Sequence, residues 1–104
     1  MAVTTANVTT TDTTVYTSSG NSAVTFATLT NYSASSVTVD VHVVPDGGAA
    51  GNLNLIIANL SITAEDTHQL YASGEKLLLE DGDTIVVSCS ADNAVASVTS
   101  YTAI

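Results

Sequence analysis

The chain has 104 residues, 45% of them hydrophobic and 11% charged, which is enough for one folded core, too little for two, and outside the composition of disordered chains. Ten acids stand against one base, Lys76, for a formal net charge of −9. A surface of that sign repels phosphate, so neither nucleic acid nor an anionic membrane is an expected partner. The single cysteine, Cys89, excludes an internal disulfide and a multi-cysteine zinc site.

The opening stretch, MAVTTANVTTTDTT, is rich in Thr and poor in large apolar groups until Val15 and Tyr16. Residues 1–14 therefore read as a Thr-rich arm that pairs with a neighbouring subunit, or as an edge strand or frayed end, contributing little apolar surface to the core. Residues 15–104 read as the folded domain. The start has neither the basic segment nor the apolar run of a signal peptide, and no stretch approaches the ~20 apolar residues that span a bilayer.

Period-2 alternation recurs from there on, and no long helical stripe competes with it. SAVTFATLTN is a predicted strand, with Asn31 to Ser36 as the turn that follows. In SSVTVDVHVVP, Val37, Val39, Val41 and Val43 are expected to face one way, with Thr38, Asp40 and His42 on the opposite, exposed face. Pro45 ends that strand and PDGGAAGN is a loop. NLNLIIANLSIT puts Leu53, Leu55 and Ile57 in one phase and Leu60 and Ile62 in the other, which predicts a bulge or a change of sheet near Ala58 and Asn59. THQLYA, KLLLE, DTIVVSCS and AVASVTSYTA follow as short strands separated by SGE, DG and ADN. Helix is limited to one turn around Thr63 to Asp66, the outline of a cap. About eight short antiparallel strands, with turns every eight to twelve residues, describe an all-β, single-domain β-sandwich, Ig-like or jelly-roll-like.

Groups able to do chemistry are sparse. Glu80, Asp81 and Asp83 crowd around Gly82, but the run lacks the length and the distal Glu of a calcium loop. Asp-Gly-Asp between two apolar runs is a turn signal, since Gly accepts positive φ and Asp bonds back to nearby main chain. Asp40 and His42 share a strand face and have the outline of an oriented base, but no nucleophile is placed beside them, so an exposed polar face is the plainer reading. His68 stands alone, Cys89 is in step with Ile85 and Val87 as a buried thiol, and two His with one Cys leave little for a zinc site. Asn7, Asn31 and Asn59 each open an N-x-[ST] match, read as chance products of a Thr/Ser-rich composition. Phosphate loops and nucleophile elbows are missing, and Thr has no regular period. No catalytic, metal or cofactor site is expected, and the chain is not read as an enzyme.

The second half, from Gly51 to Ile104, resembles the C-terminal half of small β-sandwich virion proteins of tailed bacteriophages. The matching positions are Asn59 and Ile62 in a turn, Thr67 and Leu70 in a strand, then Leu79, Gly82, Asp83, Ile85 and Val87. AVTFATLTNYSASSVTVDVHVV is similar to their first half, so the resemblance covers about residues 15–104. It implies a virion structural protein assembled in the bacterial host cytoplasm. The leading expectation is a capsid decoration (cement) subunit that stabilises the head lattice. The alternative is a tail, neck or fibre component acting in host recognition or as a connector. The implied partners are the major capsid protein lattice or other virion proteins, and further copies of the chain, with a homotrimer favoured.

Overall fold

The computed structural model describes residues 2–70 and 76–104. Among these residues there are nine strands: β1 (Ala2–Val8), β2 (Thr13–Thr17), β3 (Ser22–Asn31), β4 (Val37–Val44), β5 (Leu55–Ile62), β6 (Thr67–Leu70), β7 (Leu77–Leu79), β8 (Thr84–Cys89) and β9 (Val95–Ala103). They make two packed antiparallel sheets, one in the order β1-β9-β3-β6 with β7 also paired to β3, the other in the order β2-β8-β4-β5. β4 pairs with β5, β3 with β6, β2 with β8 and β1 with β9, so each pair encloses the previous one like a long hairpin rolled up on itself. That nesting is the jelly-roll topology, which decides between the two sandwich types expected.

Valine dominates the space between the sheets. Val8, Val24, Val39, Val41, Val87 and Val95 have essentially no solvent exposure. β-branched side chains suit the pleat, and each such burial contributes up to about 1.5–3 kcal/mol before ordering entropy is subtracted. The core strand of highest alternation, β4, keeps Val37, Val39 and Val41 inside as the pattern predicts.

Of the alternatives for residues 1–14 the structure takes the edge strand, the bulge near Ala58 and Asn59 is present, and other expectations are corrected. Residues 2–8 are an edge strand of this chain's own sheet, in unbroken register with β9 from Ala2↔Tyr101 to Val8↔Val95. Their inward end is core, since Val8 is fully buried against the apolar cluster, where composition alone suggested little apolar contribution. In the second half of β4 the alternation is overridden: Val43 is only half-buried, whereas His42 and Val44 are buried on the outward face. His42 lies between its cross-strand partners Val86 and Leu55, and the β4–β5 connection, residues 45–54, returns against the end of β4, with Gly48 beside Val44 and a 3-10 turn at Asn52–Asn54. Leu53 belongs to that turn and is fully exposed, so it is not a strand residue. The phase switch in β5 is a bulge: Val39 pairs with Leu60 and Val41 with Ile57, leaving Ala58 and Asn59 opposite Asp40. Thr63 to Asp66 is a tight turn, not a helical one, closed by Asp66 N–H on the Thr63 carbonyl at 3.0 Å with Glu65 at φ 63°. The expected SGE turn, and Tyr71 and Ala72 of the THQLYA strand, lie outside the described residues.

Candidate functional site: acidic turns and an uncharged sheet

The acidic stretch between β7 and β8 is a turn, with Gly82 at φ 86° and Asp83 N–H on the Glu80 carbonyl at 3.1 Å. Its carboxylates hold main chain. Asp83 accepts from the N–H of Glu80 and from that of Asp46, both at 2.9 Å, and Asp81 accepts from Gly20 N–H at 2.7 Å. Three loops, β2–β3, β4–β5 and β7–β8, are thereby clamped at one end of the sandwich. Charge-assisted bonds of this kind are among the stronger ones, which explains why acids gather where no base balances them. Asp46, which sequence reasoning left in a loop, is the nearest further carboxylate: a Cβ on Gly82 would sit 2.5 Å from it. Among the described residues no three His, Cys, Asp or Glu side chains are grouped to hold a metal.

The remaining candidates are separated from one another. Asp40 accepts from Asn59 N–H at 2.7 Å and so satisfies the left-handed residue of the β5 bulge instead of orienting His42. His42 is buried, contrary to the exposed face expected of it, between its cross-strand partners Val86 of β8 and Leu55 of β5. His68 is half-buried on β6 opposite Leu29, in the other sheet. Cys89 is buried in the core cluster with Ile85 and Val87 and donates to the Ala91 carbonyl. Of the N-x-[ST] matches, Asn31 is fully buried with its amide bonded to the Ser35 and Ile62 carbonyls, so it offers no acceptor site for a glycan in the folded chain.

Nδ1 of His42 has no hydrogen-bond partner in its buried position. Replacing the imidazole with a side chain of similar size that needs none removes a desolvated polar atom. His42→Leu is therefore expected to raise stability by about 1 kcal/mol, or roughly 4–8 °C in the melting midpoint of a domain of this size. A circular-dichroism melt checks it, and a lowered midpoint would mean that the ring is held by a contact worth more than its desolvation.

What sequence reasoning did not find is a division of charge. β1, β3 and β9 contain no Asp, Glu, Lys, Arg or His, although the chain carries ten acids. On their outward face the register aligns Val3, Ser100 and Phe26, then Thr5, Val98 and Thr28, then Asn7, Ala96 and Thr30, all at least partly exposed. The signal was available as three separate uncharged strands, but only the topology places them side by side. The cleft between the sheets near Val43, Ile56, Leu70 and Leu77 is apolar and has a free volume of about 10 Å³, room for about one water-sized sphere and far below a ligand pocket. No helix among the described residues is long and apolar enough to cross a membrane.

No family model, curated protein or solved structure matches the chain.

Proposed function

We propose that the protein is a structural component of a bacteriophage virion, in the first place a capsid decoration subunit that binds the head lattice as a homo-oligomer, and that it is not an enzyme. The observation that carries the reading is the division of charge. A broad face of Val, Thr, Ser, Ala and Phe on β1, β9 and β3 can meet a protein lattice without placing carboxylates against it, because those strands contain none. Among the described residues the acids lie instead in the connections between strands and, as Asp40, on β4, where they keep those parts of the protein solvated. The resemblance of residues 15–104 to small virion proteins points the same way. Jelly rolls occur in viral capsid domains and also in lectins, so the fold supports a particle role without specifying it.

The second reading, a tail, neck or fibre component that recognises a host saccharide or connects other parts, is favoured by Tyr32. Its ring is half-exposed on the β3–β4 turn and its hydroxyl donates to Asn7 Oδ1 at 2.8 Å, leaving an aromatic surface beside amide groups. The two readings separate in one experiment. A decoration site is made by several capsid subunits at once, so purified protein should co-sediment with expanded head shells lacking it and ignore free capsid protein. Electron microscopy then locates the bound density. Density on tails alone would transfer the role to the second reading, and no binding to any particle component would remove the virion assignment.

A further inference from the structure

We propose that the outer edge of β1 is the self-association site of this protein, pairing antiparallel with β1 of a second copy about a twofold axis at Thr5. The inference does not depend on the virion role; it rests on which sheet edges are free and which are blocked. An unpaired strand edge presents a row of N–H and C=O groups that template another strand, and proteins blunt such edges with bulges, charges or short strands.

Three of the four edges carry such devices. β2 is five residues long with a register break between Thr14 and Tyr16. β5 has two register breaks, a left-handed Asn59 and the Asp40 carboxylate against its main chain. The edge beyond β3 is divided, among the described residues, between two strands, β6 at Thr67–Leu70 and β7 at Leu77–Leu79, and β6 carries His68. β1 alone, among the described residues, has seven residues in continuous register with no bulge, no proline and no charge.

Electrostatics select the partner and its direction. Two chains of net charge −9 repel wherever carboxylates face each other, and β1 with its neighbours β9 and β3 offers none, so this edge and the strands behind it meet a second copy without like charges. Asp12 and Asp92 lie past the C-terminal end of β1, where Asp92 accepts from Thr10 N–H at 2.8 Å. Parallel pairing would bring these ends together. Antiparallel pairing over Ala2 to Val8 puts Thr5 on the axis and sends them to opposite ends of the ladder, beyond a Debye length of about 8 Å at physiological salt. The pairs become Val3 with Asn7 and Thr4 with Ala6 of the second copy, side chains without like charges. The contact is isologous and closes at two copies, in contrast to the threefold ring implied by the resemblance.

The test uses Thr5→Cys in the full chain, treated with a short bis-maleimide, with Ser61→Cys on the exposed edge strand β5 as control. The native Cys89 is buried and does not compete. Opposite Thr5 positions would have Cβ atoms about 4.5–5.5 Å apart, so Thr5→Cys should be captured as a covalent dimer and Ser61→Cys should not. Sedimentation of the unmodified chain should show a dimer at tens of micromolar, and Thr5→Asp, which sets two carboxylates together on the axis, should weaken it at least about fivefold without changing the circular-dichroism spectrum. Equal capture of the two cysteine variants, a monomer, or a trimer indifferent to Thr5→Asp would each overturn the proposal.

Discussion

Asn31→Ala is expected to lower stability by about 3 kcal/mol, seen as a fall of more than about 12 °C in the melting midpoint. Asn31 is the last residue of β3, and its side chain has no exposure at all. The amide donates to the Ser35 carbonyl at 2.8 Å and to the Ile62 carbonyl at 3.0 Å, while its oxygen accepts from Ser33 N–H at 3.0 Å and from the Ser33 hydroxyl at 2.7 Å. It therefore shapes the β3–β4 turn and fastens the end of β5 in the facing sheet. Its own N–H goes to the Asp66 carbonyl at 2.9 Å, tying in the β5–β6 turn as well. Alanine takes the side-chain partner from the buried Ile62 carbonyl and from the Ser33 N–H, each costing about 1–3 kcal/mol where water cannot replace the bond, while the exposed Ser35 carbonyl keeps the Ser33 hydroxyl at 2.9 Å. Asn31→Asp keeps the shape and the acceptor but removes both donors and sets an anion against two carbonyls, so it should be at least as damaging. Retained wild-type stability in the aspartate variant would mean that the donors contribute nothing.

The strands were legible because their signal is local. β9, the second half of β3 and the first half of β4 follow runs of Val, Ala and Thr whose period of two survives in the structure, and Gly82 between Asp81 and Asp83 marks a turn by its own backbone chemistry. The bulge at Ala58 and Asn59 was legible for the same reason, since an extra residue shifts the phase of the apolar positions that follow it. What failed were burials decided by a distant segment. His42 is polar and sits on the outward side of β4, so alternation exposes it; in the fold it is buried between Val86 of β8 and Leu55 of β5. Leu53 is apolar and in phase with a strand, yet it lies on the 3-10 turn of the β4–β5 connection and stands fully in solvent. Asn31 carried a local hint in the serines two and four residues on, the outline of a side chain bonding its own turn, but nothing nearby announces Ile62 as a partner. The clamp of Asp81 and Asp83 is half legible in this sense: the turn is local, whereas Gly20 and Asp46 arrive from elsewhere in the chain.

Removal of residues 1–9 is expected to abolish cooperative folding, the larger effect of the two. The strand lost contains Val8, fully buried, and Ala6, packed against the core, and it leaves Val95, Ser97 and Thr99 of β9 at an open edge. The ladder to β9 goes with it, as does the bond from Cys89 N–H to the Thr9 carbonyl at 3.0 Å. Against a typical total stability of about 5–15 kcal/mol, loss of a whole edge strand together with a core side chain is a large fraction. The truncated chain should show a broad, weak melt and bind a hydrophobic dye, and its newly open β9 edge should make it prone to aggregate. Val8→Ala is the graded form, expected to cost about 2 kcal/mol through the cavity it leaves. Thr5 lies three residues away on the opposite face of β1, in solvent, so Thr5→Asp should leave the melt within about 0.5 kcal/mol while dissolving the pairing of copies. The two variants thus separate the functions of one strand: its inner face completes the sandwich, and its outer edge meets the second copy. A truncated chain with the wild-type midpoint would mean that residues 1–9 are a dispensable arm, and that the core closes over β9 without them.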